Sequence, residues 1–210
     1  MLNFSLAVII TLLIISNSHA RPISYSGGKT IMYYNNGFKH SLHLHYSPSY
    51  KYSLGYRYEN YKNTDLSLDG IQLNNLIKRW NLQEAQGNIY LKSSLGNASS
   101  KGNNQLYGFV GLAGDFETRK YFIAYENKYY KANGNILDKF EQNARIAIAP
   151  YLANYGQIHS WLMLEISRQK INSKYQNIVT PLIRLFKKNN LVEIGYNNKD
   201  KLLVNFISRF

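Results

Sequence analysis

Three histidines sit close together in one short segment: His40, His43 and His45. If that segment is extended, His43 and His45 are two residues apart. Their imidazoles then point the same way, roughly 6 to 7 Å from each other. Two imidazoles at that spacing can supply two ligands to zinc or copper when a third arrives from another strand. His159 and Met163 have the matching parity on a later segment and are candidates for it. Without a third ligand the pair reads as two neutral histidines hydrogen-bonded among their neighbours.

Ser47 follows His45 by two residues in HYSPS. A His and Ser so paired resemble those of outer-membrane phospholipases, which would imply a twelve-stranded enzyme acting on lipid. The Asn-Gly that follows the serine in that family is missing, and Ser47 falls beside Pro48 at an expected turn. A serine nucleophile needs a base in hydrogen-bond reach and an oxyanion donor, and the sequence offers no third member. Walker, dinucleotide and zinc-finger patterns are absent, which removes several enzyme classes and implies no cofactor. These residues point away from an enzyme.

The charge is lopsided. Lys and Arg number 25 against 12 Asp and Glu, a formal net charge of +13. A basic excess attracts phosphate, on nucleic acid or on anionic lipid. Seven basic residues share the polar parity of their segments: Lys51, Arg57, Lys78, Lys92, Lys120, Arg145 and Arg184. Only three acids, Glu126, Glu165 and Glu193, share it. Either this parity lines a cationic path for anions, or its charges are paired with one another because a charge in a narrow interior must be paired or hydrated.

The elements that would position these residues are strands. Phe4 to Ile15 is a nearly unbroken apolar run, followed by Ser18-His19-Ala20 with small residues at −3 and −1. That is the pattern of a signal peptide over residues 1–20, with a mature chain from Arg21, and export argues against nucleic acid as a partner. The absence of cysteine fits a protein that does not rely on disulfides, and nineteen tyrosines suit a membrane–water interface. After Arg21 no apolar run reaches eighteen residues, and a period of two recurs instead.

In Lys39–Tyr46, Leu42, Leu44 and Tyr46 oppose Ser41, His43 and His45; in Gln157–Ser167, Ile158, Leu162, Leu164 and Ile166 oppose His159, Trp161, Met163 and Glu165. The outward set includes Leu42, Leu44, Leu54, Ile89, Leu91, Ile146, Ile148, Leu162, Leu164, Val204 and Phe206. About twelve such segments can be marked off, with ten as the alternative, and Asn74-Asn75-Leu76 breaks phase as a bulge would. Links after the even-numbered segments are short. Glu59–Gly70 and Gly96–Asn104 read as longer polar loops, the asymmetry of an outer-membrane barrel with periplasmic termini.

Phe210, Ser208, Phe206, Val204 and Leu202 share one face up to the last residue. This end resembles the outer-membrane β-barrel superfamily, whose last strand closes in an aromatic residue, although Ser208 departs from its pattern. The resemblance implies insertion by the barrel-assembly machinery. The expectation is therefore an all-β chain: residues 1–20 a signal peptide, and 21–210 one antiparallel transmembrane barrel in the cell outer membrane, in contact with its lipids. Its function reads as a narrow pore with a cationic lumen for anionic or polar solutes, or as an envelope structural protein. A lipid-acting enzyme and a metal-binding barrel using His43 and His45 are the alternatives.

Overall fold

A strand with one apolar and one polar face can satisfy both faces and both edges at once only by joining a closed ring. The structure, a computed structural model, describes residues 23–62, 64–154, 156–171 and 174–210. The expected signal peptide and Arg21 lie outside the described residues. Twelve strands follow in order: β1 (Gly28–Asn35), β2 (Lys39–Ser49), β3 (Tyr52–Tyr61), β4 (Leu66–Asn81), β5 (Ala85–Ser100), β6 (Asn103–Thr118), β7 (Tyr121–Ala132), β8 (Asp138–Ile148), β9 (His159–Ile171), β10 (Lys174–Lys187), β11 (Asn190–Tyr196) and β12 (Leu202–Arg209). Each pairs antiparallel with its sequence neighbours, and β1 pairs with β12 to close an antiparallel barrel. Lys29 and Phe210 exchange both backbone hydrogen bonds at 2.9 Å across that seam. No edge is left to face lipid, which is the condition for crossing a membrane with strands.

Side chains alternate as the period of two requires. Outward on the walls stand exposed Leu42, Leu44, Leu54, Ile71, Ile89, Val110, Leu112, Ile123, Ile146, Leu162, Ile183 and Ile194. Registered rows make this a continuous apolar belt: Ile148, Leu162 and Ile183 lie side by side, as do Ala144, Ile166 and Val179. Exposed Tyr46, Tyr52, Trp80, Phe116 and Tyr121 ring the end that carries the turns after β2, β4 and β6. Tyrosines such as Tyr129 and Tyr175 stand near the opposite, hairpin end. An apolar band between aromatic girdles is what a bilayer selects.

The connections differ from the expectation. The segments read as long loops after β3 and β5 are mostly strand, so the links shrink to residues 62–65 and 101–102. The long link is the one after β8, residues 149–158, where a short turn was expected. Polar residues misled the reading because Asn, Ser and Lys on the outer face of these strands extend a wall beyond the apolar belt, where that face meets water. The wall is therefore uneven: β4, β5 and β6 have sixteen residues each, while β1 and β12 have eight.

The tall sector fills its own interior. Leu66, Leu68, Ala98, Tyr107, Phe109, Tyr130, Ala132 and Leu137 form one buried apolar cluster at the hairpin end. Gly70 and Gly96 lie opposite each other in the β4–β5 register. A Cβ at Gly96 would stand 2.4 Å from the Gly70 Cα and 2.0 Å from the Asp69 oxygen, so only glycine permits that approach. A register shift between Leu76 and Lys78 supplies the bulge that the phase break near Asn74 announced.

The two faces predict a contrast at adjacent residues. Leu112→Arg places a charge in the lipid belt and is expected to cost roughly 2 to 4 kcal/mol, whereas Ala113→Arg enters the lumen and should cost under about 1 kcal/mol. Urea refolding titrations in lipid vesicles measure both; equal costs would mean the two faces are equivalent, and reversed costs that they are interchanged.

Candidate functional site

Alternate residues of the strands enclose a lumen of about 1570 Å³. Its lining begins at the turn end, at Gln83, Glu84, Thr118, Lys120 and Leu152, and reaches Asn36 in the hairpin after β1. Eight cations face it: Lys39, Arg57, Lys92, Arg119, Lys120, Lys128, Arg145 and Arg184. So do eight acids: Glu59, Glu84, Asp115, Glu117, Glu126, Glu141, Glu165 and Glu193. The lining thus holds as many acids as cations, because five carboxylates join the three with inward parity in the sequence, and the inward Arg79 and Lys139 leave a small cationic excess around it.

The charges form knots, each centred on carboxylates. On β11, Glu193 is almost fully buried. It accepts hydrogen bonds from Arg184 Nε at 2.7 Å, Arg145 Nη1 at 3.2 Å and Asn205 Nδ2 at 2.7 Å. Arg145 also donates from Nε to Glu165 at 2.6 Å. On β7, Glu126 takes Lys92 at 2.5 Å and Lys128 at 2.7 Å. Gly111 lets β6 approach β7 there, since a Cβ would stand 2.2 Å from the Asn127 carbonyl oxygen and 2.8 Å from the Lys128 Cγ. Toward the turns, Arg79 donates to Asn88, which donates to Asp115, both at 2.7 Å.

The third knot spans the barrel. Glu59 on β3 accepts from Lys39 Nζ at 2.9 Å and from the Arg57 guanidinium at 2.5 Å. Lys39, on β2, also reaches Glu141 on β8 at 3.5 Å. Those two strands stand six places apart in a ring of twelve. Lys139 pairs with Glu141 at 2.7 Å and donates to the Tyr61 hydroxyl on β3 at 3.3 Å. Arg57 donates to Tyr130 on β7 at 3.2 Å and to Gln72 at 2.8 Å. Opposite walls therefore touch at this level, directly below the apolar cluster. Full pairing is what low-dielectric burial demands of these ions.

The residues singled out from the sequence separate into two sets. Arg57, Lys92, Arg145 and Arg184 point inward and belong to the knots. Lys120 sits in the turn after β6, at the mouth, and Lys51 in the exposed turn between β2 and β3, away from the lumen lining. Lys78 is a correction: beyond the bulge it turns outward, with its Nζ 5.9 Å from the Trp80 ring centre. Lys39, Lys128, Lys139, Glu59 and Glu141 were missed. Glu59 and Glu141 fell where a loop or no strand was assigned, yet they continue the parity of Arg57 and Arg145.

His43 and His45 face inward with ring centres 5.9 Å apart. The His45 Nδ1 lies 3.5 Å from the Asn74 amide, and the His43 Nε2 is buried without a hydrogen-bond partner. His159 packs on Trp161, its ring 5.0 Å away. Among the described residues no three His, Cys, Asp or Glu side chains converge. His43 is registered between Met32 on β1 and Arg57 on β3, and the latter is a fixed cation where a metal site needs a donor. Ser47 is buried, and its Oγ accepts the Ser24 N–H at 3.1 Å, so the hydroxyl clips the chain leading into β1.

No family model matches the chain, and no curated protein matches it in sequence. Solved structures do match in fold. A KdgM porin in complex with disordered oligogalacturonate is 12% identical, covering 87% of this chain and 98% of its own, with a TM-score of 0.51. The KdgM porin alone is 11% identical, with the same coverage and TM-score. LpxR from Salmonella typhimurium is 7% identical, covering 87% of this chain and 99% of its own, with a TM-score of 0.47. The fold is that of outer-membrane β-barrels. With the apolar belt and its aromatic girdles, it places this chain in the outer membrane.

The Glu193 knot yields a test. Glu193→Gln leaves Arg145 and Arg184 without their shared carboxylate, at an expected cost of about 3 to 5 kcal/mol. Adding Arg184→Met should recover at least about 1 kcal/mol of that, because contacting residues couple. Refolding titrations of both variants measure it, and additive losses would show the knot is not a unit.

Proposed function

We propose that the barrel is a narrow, porin-like channel for small polar or charged solutes. Its constriction is the cross-lumen knot of Lys39, Glu59, Glu141 and Lys139. The observation that carries this reading is the lumen lining, which is charged and polar along much of its course from the turn-end mouth to Asn36. A barrel kept only as a wall has no need to hold sixteen ionisable groups around an open volume. Since the cationic excess of the lumen as a whole is small, ion preference arises chiefly at the constriction. There Lys39, Arg57 and Lys139 face Glu59 and Glu141, a local excess of one cation. Modest anion preference follows, strongest at low salt where fixed charges are least screened. Entry into the membrane by way of the barrel-assembly machinery belongs to the same reading.

A second reading, an envelope structural protein, draws on the apolar cluster that fills the hairpin end of the tall sector. One experiment separates the two. Refolded protein in planar bilayers should give small current steps with mild anion preference. The double variant Lys39→Ala/Glu141→Ala should raise conductance by at least about twofold by removing the cross-lumen contact. Silence from correctly folded protein, or an unchanged conductance in the folded variant, would remove the channel reading and leave the structural one.

A further inference from the structure

The belt has one sector where its hairpin-side edge is cationic. Going up the outer wall on β8, β9 and β10, the registered rows run Ile146, Leu164, Pro181, then Ala144, Ile166, Val179. The next row is Gln142, Arg168, Asn177, and the one above is Phe140, Lys170, Tyr175. Over these two rows apolar side chains give way to two cations, two amides and two aromatic rings. That is the depth at which the headgroups of a bilayer meet its hydrocarbon.

The cations are held in place. The Arg168 guanidinium carbon lies 4.3 Å from the Tyr175 ring centre, and the Lys170 Nζ lies 5.5 Å from the same centre. Tyr175 is itself 56% exposed, so the ring is a platform on the outside of the wall. Both cations have the same strand parity, which sets their stems roughly 7 Å apart and lets both heads reach one tetrahedral anion. Among the described residues neither is in an ion pair; the Asp138 carboxylate, whose field reaches Lys170, is itself bound by Lys131 at 2.8 Å. Gln142 is oriented by donating to the Tyr125 hydroxyl at 2.7 Å, which fixes a second amide in the Arg168 row.

Two unpaired cations on a ring at the edge of an apolar belt are placed to meet an anion whose own tail lies in the membrane. We propose that Arg168 and Lys170, braced on Tyr175, form a binding site for the phosphate of an anionic membrane lipid. Acyl chains pack below it against Ile166 and Val179, and the phosphate sits between the guanidinium and the ammonium. The site depends on the membrane location of the barrel and not on conduction, so the two proposals fail separately.

Native mass spectrometry of the refolded barrel tests this, with dioleoyl phosphatidic acid as the anionic probe and dioleoyl phosphatidylcholine as the zwitterionic one. Wild type should retain phosphatidic acid over phosphatidylcholine. Arg168→Gln/Lys170→Gln should weaken that retention about tenfold, as expected for two charge-assisted contacts. The charge-matched variant Lys187→Gln/Lys188→Gln, at the turn end, should retain it as wild type does. Heat-modifiable mobility on gels confirms that each variant is folded. Equal retention by the folded Arg168/Lys170 variant, or equal loss in the turn-end control, would overturn the site. Displacement of the lipid by millimolar inorganic phosphate would overturn its assignment to lipid.

Discussion

Closure of the ring is the constraint on which the rest of the structure depends. In hydrocarbon no water can take up an unpaired N–H or C=O, so the first and last strands must meet. They meet through β1 and β12, with Phe210 and Lys29 exchanging backbone bonds at the seam. Once the ring is closed, a side chain has only two environments, lipid or lumen, and parity along the strand assigns it to one of them. That is why Leu42 and His43, adjacent in sequence, face hydrocarbon and a polar interior respectively.

Sorting polar groups inward creates the second problem, which is how to keep charge in a small space. The answer is neutrality by pairing, and the carboxylates are the hubs. Glu193 serves two arginines and an asparagine, Glu126 two lysines, and Glu59 a lysine and an arginine. Because each acid is shared, the cations cannot relax independently, and strands distant in the ring are tied across the interior. Little of the +13 of the whole chain is therefore expressed in the lumen. Much of it lies on turns and on outward positions such as Arg168, Lys170 and Lys187.

The strand number, the facing of residues such as Leu162 and Trp161, and the bulge near Asn74 were all legible from the sequence, because a period of two is a local property. What could not be read was where a strand leaves the membrane and continues in water. Beyond the belt both faces are polar or mixed, so Ser67, Asn97 and Ser99 look like loop residues although they pair in β4 and β5. The same blindness hid Glu59 and Glu141. Lys78 failed for the opposite reason: its parity was counted across a bulge, and one extra residue exchanges the faces. The neighbours of His43 across the lumen could not be read either, since parity says which way a side chain points and not what it meets.

The uneven wall joins these observations. Strands β4 to β6 rise well above β1 and β12, and their surplus length turns apolar residues inward, where Leu68 and Tyr107 join Tyr130 of β7 in one buried cluster. This packing closes part of the hairpin end without a separate plug. It also leaves the shorter side, near Asn36 and Lys39, as the place where the lumen comes closest to that end. The cross-lumen ion pair between Lys39 and Glu141 stands at that boundary. An ion pair is suited to the position because it is directional, hydratable and worth little once water reaches it. An apolar contact would hold the walls together more firmly and could not yield to a passing charge. The arrangement thus places the contact between opposite walls on paired charge instead of packed side chains.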